Sequence, residues 1–391
     1  MSAPFLHVVL SAPEMFGFMK GQPQRMRRLG FEPVIISSAS PVLDQQARAE
    51  GLKRITIPIC RPIALWQDAK TFYQLCQIFR KDAPQVVLLS GPKAIFLGSM
   101  AAWVCSVPQR IVIYHGMRQE NMGGLLRCIL DVCDKVSFAC ATKALAVSPS
   151  LRTLVLERKL AVASKIQAIK PGTPNGIDAA RYHRTPQVVA ESAELQQTLG
   201  ILPGVPVVGF LGRITEDKGI ADLYKVFLYL QEKSPDLRLL CVGPAEMLTA
   251  EGNQLLSAMK ANRAVIFTGS VGNVLPYLCL MKVHVFPSYR EGFGLSVAEA
   301  GALGIPTVAY DVTGVKDAIV ANVTGKLIPR GDIEAMTQAV SDYLHGDILR
   351  IAHGHNAIRR IVEAFSPDDI WNSYLAAFET KAARVPPEAS P

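Results

Sequence analysis

The sequence predicts an α/β protein built as two parallel-sheet domains, and three observations predict it. Short apolar runs alternate with longer helical patterns along the chain, the rhythm of βαβ units. A stretch rich in Pro, Gly, Asn and Thr, residues 170–184, interrupts that rhythm near the middle and reads as a hinge. The length, 391 residues of which 49% are hydrophobic, suffices for two domains, each with its own core. Two α/β sheets joined by a hinge imply a cleft between domains, where ligands usually bind.

In chain order, strands are expected at residues 7–10, 34–37, 55–58, 86–90, 110–114 and 144–147, with helices at 22–28, 45–50, 66–81 and 95–107. Beyond the hinge, strands are expected at 207–211, 238–242, 265–268, 283–286 and 307–309, with helices at 221–232, 296–303 and 333–345. Ser366 can cap a last helix and Pro367 fits its first position. The expected domains are 1–185 and 186–365, with the helix over 367–380 packing back on the first. The tail over 385–391 reads as disordered.

Charge divides the chain. Residues 1–185 hold 24 Lys and Arg against 11 Asp and Glu, a net of +13; residues 186–391 hold 17 against 22, a net of −5. The two halves therefore suit different partners. The cations of the first half serve either as solvated surface or as a face for anionic lipid headgroups. No helix-turn-helix, zinc-finger or RNA-binding signature points to nucleic acid. The eight cysteines form no Cys-x-x-Cys pair and read as reduced thiols of a cytosolic protein. The apolar run over 5–10 has no basic residue ahead of it and reads as a first strand, not an export signal. The uncharged run over 94–107 is 14 residues, short of the ~20 a membrane-spanning helix needs.

Residues 288–299, Ser-Tyr-Arg-Glu-Gly-Phe-Gly-Leu-Ser-Val-Ala-Glu, follow an apolar strand and run into a helix. A loop thus carries Glu291 and the first helical turn carries Glu299. Carboxylates accept hydrogen bonds from sugar hydroxyls while free helix N–H groups face a phosphate, so the pattern suits a nucleotide sugar. Gly292 and Gly294 allow close approach of backbone to ligand. Ser296-Val297-Ala298-Glu299 is equally a capping-box pattern, in which Glu299 serves its own helix, and Glu291 could be a solvated loop acid.

In residues 209–219 a buried strand ends at Gly212, and Arg213 and Lys218 follow before a helix begins near Gly219. A departing diphosphate gathers negative charge that Arg213 can fork onto and Lys218 can meet as a point charge. The alternative is a surface ion pair of Arg213 with Glu216 or Asp217. His115, in Tyr114-His115-Gly116-Met117-Arg118, stands at a strand end and could accept a hydrogen bond from a sugar. His7, His183, His284, His345, His353 and His355 are read as structural. No Asp-x-Asp or His/Asp cluster suggests a catalytic metal, and cations with helix N-termini can take its place, so no cofactor is expected.

Residues 209–219 and 288–325 together resemble the retaining glycosyltransferases of family four. The likeness lies in the glutamate-seven-glutamate spacing, Gly304-Ile305-Pro306, Gly314 and Thr324-Gly325, and it extends over nearly the whole chain. It implies the GT-B fold: α/β, two facing Rossmann-like domains with an interdomain cleft. It further implies that Arg213 and Lys218 hold the donor diphosphate, Glu291 contacts the transferred sugar and Glu299 holds the ribose. Backbone near Gly292, Phe293, Gly294 and Leu295 would meet the phosphates and sugar, and Ser270 and Val271 would lie beside the base. His115 would line the sugar site, making it catalytic with Glu291, Arg213 and Lys218. The turn over 172–178 resembles the family's interdomain hinge, with Asn175 near ligand.

The loop after the first strand departs from the family, having Phe16-Gly17-Phe18-Met19-Lys20-Gly21 where many members have Gly-Gly. It is similar to the subgroup that builds bacterial surface polysaccharides on a polyprenyl diphosphate. By that likeness Phe16, Phe18 and Met19 cover lipid, Lys20 pairs with the lipid's diphosphate, and Phe16, Gly17, Lys20, His115 and Arg118 form the acceptor set; otherwise the loop is hydrophobic lining. The expected activity moves a sugar, an N-acetylhexosamine by the same likeness, from a UDP-sugar to a polyprenyl-diphosphate saccharide. The enzyme would be peripheral on the inner face of the cytoplasmic membrane. The rivals are an epimerase or hydrolase acting on free donor, and a non-catalytic sugar-nucleotide-binding subunit.

Overall fold

The structure, a computed structural model, describes residues 3–19, 21–60, 63–247 and 249–378. It comprises two compact units, Met1–Asn175 with Asp368–Pro391, and Gly176–Pro367. The division falls at Asn175/Gly176 rather than 185/186. The cause is local: the Tyr182 hydroxyl binds Glu299, and the helix beginning at Pro186 packs on the helix Leu275–Leu280.

Unit 1 is a seven-stranded parallel sheet. Its strands are β1 (Phe5–Leu10), β2 (Glu32–Ser37), β3 (Lys53–Thr56), β4 (Val86–Ser90), β5 (Gln109–Tyr114), β6 (Lys143–Ala146) and β7 (Ile166–Ala168). Their order is β3-β2-β1-β4-β5-β6-β7, so the direction of sheet growth reverses between β1 and β4. The helices are α1 (Gln22–Arg28), α2 (Pro41–Ala49), α3 (Leu65–Asp82), α4 (Pro92–Val104), α5 (Gly124–Cys140) and α6 (Pro149–Glu157). The central strands are aliphatic because both of their faces are covered, and Leu6, Val8, Val9 and Leu10 have no exposed surface. Ser40 and Ser148 start α2 and α6 by accepting from the backbone N–H three residues on, each at 3.3 Å, with proline at the next position.

Unit 2 begins with α7 (Pro186–Thr198) and holds a six-stranded parallel sheet in the order β10-β9-β8-β11-β12-β13. The strands are β8 (Val207–Leu211), β9 (Arg238–Val242), β10 (Val265–Phe267), β11 (Val283–Phe286), β12 (Thr307–Tyr310) and β13 (Gly325–Ile328). Its other helices are α8 (Ile220–Lys233), α9 (Ala250–Ala261), α10 (Leu275–Leu280), α11 (Leu295–Ala302), α12 (Val315–Ala318), α13 (Ile333–His345) and α14 (Asp347–Ala364). Here the reversal lies between β8 and β11. In such sheets ligands bind outside the carboxyl ends of the strands at the reversal. The last helix, α15 (Pro367–Leu375), lies largely in unit 1, where the Tyr374 hydroxyl donates to the Pro174 carbonyl at 2.6 Å. The helix ends at Leu375, short of the expected residue 380, with residues 376–378 in turn and bend; residues 379–380 and the tail over 385–391 fall outside the described residues.

Candidate active site

The reversal in unit 2 brings two of the expected donor residues together. β8 and β11 are neighbours, and the loops leaving their carboxyl ends carry Lys218 and Glu291. The Lys218 ammonium donates to Glu291 Oε1, with the two side chains 15% and 13% exposed. Lys218 also lies over the Phe286 ring, 5.7 Å from its centroid. Gly219 makes this meeting possible. Its φ is +69°, and a Cβ there would stand 1.9 Å from the Pro287 carbonyl oxygen. A second stitch joins the loops: Arg290 donates to Asp217 Oδ2 at 2.8 Å and Thr215 donates to Oδ1 at 2.5 Å. Burial works against the Asp217 charge, yet the Thr215 hydroxyl and the Arg290 guanidinium hold its carboxyl below the usual carboxylate range.

Arg213 leaves the end of β8 but pairs elsewhere. Its Nη1 lies 3.1 Å from Glu246 Oε2, and both side chains are near half exposed. Of the two local acids, Asp217 feels the Arg213 charge only as the smallest of several influences. Glu216 accepts from the Thr249 N–H and hydroxyl, both at 2.9 Å, and Asp217 is held by Arg290.

Glu299 sits in the second turn of α11, not the first. The helix is entered through Gly294 at φ +80° with no side-chain cap, so the capping-box reading does not hold. Instead the Glu299 carboxylate accepts from the Tyr182 hydroxyl at 2.8 Å. Burial pushes its carboxyl above the usual range, restrained by that hydrogen bond and by Arg181. A cavity of about 230 Å³ opens beside it, lined by Arg181, Tyr182 and residues 272–275. Ser270 is exposed and Val271 packs on the core of unit 2, so the cavity wall starts just past the two residues expected there. Gly292, Phe293 and Gly294 are buried and Leu295 is half-buried; the Phe293 ring packs on Phe365 at 5.2 Å, which leaves only its backbone for a ligand. Arg181, Tyr182 and Glu246 escaped sequence reading, because their partners lie far along the chain.

In unit 1, His115 follows β5. Its Nε2 lies 2.8 Å from Ser90 Oγ at the end of β4, and Phe18 stacks on its ring with centroids 5.4 Å apart. Burial pushes the imidazole down to about 4, so it is neutral near pH 7. Gly17 and Arg118 are exposed. Phe16 and Met19 correct the expectation of a lipid-covering loop: they are 4% and 7% exposed and belong to the core. The loop folds inward onto Gly91, where a Cβ would meet Met15 Sδ at 2.6 Å and Ser11 Cβ at 2.7 Å. Lys20 lies outside the described residues. Asn175 accepts from Gln22 Nε2 at 2.9 Å, which ties the hinge segment to α1.

A family model described as "Glycosyl transferases group 1" matches residues 205–346. The chain is 30% identical over 362 residues to the capsular polysaccharide biosynthesis glycosyltransferase CapM of Staphylococcus aureus, covering 93% of each chain. It is 22% identical over 321 residues, 81% of each chain, to the UDP-Gal:alpha-D-GlcNAc-diphosphoundecaprenol alpha-1,3-galactosyltransferase of Escherichia coli. Among solved structures, HepE of Anabaena in complex with UDP and glucose shares the fold with a TM-score of 0.77 at 18% identity, over 95% of this chain and 100% of that one. With two Rossmann-like units in place and a relative matched over almost its full length, the chain belongs to the group 1 glycosyltransferases.

Proposed function

We propose that this glycosyltransferase is a retaining enzyme of family four that moves a sugar, an N-acetylhexosamine, from a UDP-sugar to a saccharide carried on polyprenyl diphosphate, in the assembly of a bacterial surface polysaccharide. The observation that carries the reading is the enclosed Lys218–Glu291 pair at the β8/β11 reversal. It sets a phosphate-seeking cation against a hydroxyl-seeking carboxylate at the point where such sheets bind ligands. The names of the relatives support the substrate classes: the Escherichia coli protein's names a UDP-sugar and a diphosphoundecaprenol acceptor.

In this reading Arg213, Lys218 and the uncapped start of α11 stabilise the diphosphate, and Glu299 with the cavity beside it takes the ribose and base. Glu291 orients the sugar and forms no bond to it. The acceptor hydroxyl oxygen bonds to the anomeric carbon on the face from which the diphosphate departs. The carbon–oxygen bond to phosphate breaks, and the departing phosphate oxygen takes the hydroxyl proton. The product is α-linked. His115, neutral through burial, accepts a hydrogen bond from a sugar hydroxyl, and Arg118 lies beside the acceptor. No metal takes part. Among the described residues no helix is long and apolar enough to cross a membrane; in this reading the enzyme meets its acceptor from the inner surface of the cytoplasmic membrane.

A panel of UDP-sugars with a polyprenyl-diphosphate sugar in detergent and EDTA, read by mass and by the anomeric proton signal, tests the reading. Addition of one α-linked N-acetylhexosamine is expected. A β-linked product, activity lost to EDTA, or epimerisation or hydrolysis of donor without acceptor overturns it.

A further inference from the structure

α5 has two unlike sides. Leu125, Ile129 and Val132 follow the spacing of one helical stripe and are 78%, 45% and 57% exposed, with Leu126 beside them at 46%. The opposite side carries Asp131 and Asp134, which accept from Gln119 Nε2 at 3.1 and 2.7 Å. Asp134 also accepts from the Tyr114 hydroxyl at 2.5 Å. Gln119 is buried and belongs to the loop that begins at His115. The helix that shows an apolar stripe to solvent therefore also holds the candidate acceptor loop. Outer helices of soluble units normally turn polar residues to water, and a contiguous apolar patch marks an interaction surface.

Its surroundings favour lipid as the occupant. α3 opens with Leu65 and Trp66, 82% and 86% exposed. Asp68 in the first turn of α3 pairs with Lys93 in the first turn of α4, and α4 packs on both α3 and α5. In a parallel sheet with helical crossovers these helices start at the carboxyl edge of the strands, the edge where His115 stands. Lys70 and Arg118 are exposed near that edge and Lys135 flanks the stripe. Unit 1, residues 1–175 with 368–391, holds 24 Lys and Arg against 14 Asp and Glu, a net charge of +10. Exposed apolar side chains on a cationic unit suit an anionic lipid surface.

We propose that this edge of unit 1 docks on anionic lipid, with the α5 stripe entering the headgroup layer and its inner acids holding the 115–123 loop at the lipid surface. The proposal rests on the lipid-linked acceptor proposed above. It replaces the buried Phe16 and Met19 with a different contact surface.

The test compares wild type with a Leu125→Ser/Ile129→Ser double variant, whose substitutions lie at exposed positions and whose fold is checked by circular dichroism melting. Both are sedimented with phosphatidylcholine vesicles, with and without phosphatidylglycerol, at low and high salt. Wild type is expected to pellet with the anionic vesicles at low salt, and the variant's partition to fall about tenfold as two aliphatic side chains leave the interface. The variant should keep its turnover on a short, water-soluble acceptor and lose it on an acceptor embedded in vesicles. Equal pelleting of the two proteins, no pelleting of wild type, or a lipid-free wild-type dimer that the double substitution dissociates would each overturn the proposal. Transfer in detergent reads the proposed function separately, so its failure with pelleting intact strikes that reading and not the surface.

Discussion

Glu291→Gln separates two demands on one carboxylate. Glu291 holds Lys218 in a pair whose side chains are only 13% and 15% exposed. In the proposed reading a donor's diphosphate draws Lys218 away from that carboxylate, whereas the sugar needs the carboxylate itself. At an effective dielectric of roughly 20, unit charges ~4 Å apart attract by ~4 kcal/mol. Fully exposed pairs contribute about 0–1 kcal/mol net. A pair this enclosed falls between, and about 1–2 kcal/mol is a fair value for what the phosphate must offset. The amide keeps the shape and removes the charge, so UDP should bind roughly five- to thirtyfold more tightly. Transfer should fall about a hundredfold, because a charge-assisted hydrogen bond to the sugar is lost. Calorimetric titration with UDP gives the affinity and product formation gives kcat/KM, with a thermal melt to establish folding. A folded variant that binds UDP no better than wild type shows that the pair does not stand in the phosphate's way. Undiminished transfer removes Glu291 from the sugar site.

Tyr182→Phe deletes a hydrogen bond to a buried carboxylate, and the donor KM should rise roughly five- to thirtyfold with kcat little changed. Its pH profile carries the same signature. The Glu299 carboxyl is already raised and Tyr182 restrains the rise, so in the variant donor binding weakens from a higher pH as the solution is acidified; superimposable KM profiles would refute this. Gly219→Ala forces a Cβ to within 1.9 Å of the Pro287 carbonyl oxygen and should cost more than about 2 kcal/mol in a urea titration while lowering turnover, an effect absent if that glycine is incidental. His284 is held neutral by burial, its imidazole pushed down to about 3. Its contribution to stability is complete above the ordinary value of ~6.5 and declines by about 1.4 kcal/mol per pH unit below it, because the unfolded chain takes up a proton that the native state refuses. Between pH 7.5 and 5.5 wild type should therefore lose about 1.4 kcal/mol more than His284→Gln, and equal losses would contradict the reasoning.

Legibility in the sequence followed burial. β4 and β8 could be read to the residue because every position in them is buried and the apolar run ends where the strand does. β7 and β13, at sheet edges and only three and four residues long, bury only Ile166 in the one and the two end residues in the other, and make no such run. That Lys218 and Glu291 share a site was expected from the family resemblance, and they meet because each lies past the end of a strand and those strands are neighbours. The partner of Arg213 was not legible, since the acids nearest in sequence are taken by Thr249 and Arg290. The capping-box reading of Glu299 failed because α11 begins at Leu295, which places Ser296 inside the helix rather than before it.

The apolar surface of unit 1 shows what a one-dimensional reading lacks. The lipid role expected of Phe16 and Met19 came from the subgroup resemblance; their core partner is not evident along the chain. The partner is across the sheet reversal, where Gly91 at the head of α4 has no side chain to keep the loop away. α5 is the opposite case. Its acids and its aliphatic residues are interleaved in sequence and look like an ordinary amphipathic helix, whose apolar side would face the core. In the fold the inner side holds Asp131 and Asp134, which accept from the Gln119 amide and the Tyr114 hydroxyl, together with the buried Phe138 ring packed on Tyr114, and the aliphatic stripe is left outward. An aliphatic stripe left outward calls for a cover, and the vesicle experiment decides whether a lipid surface supplies it.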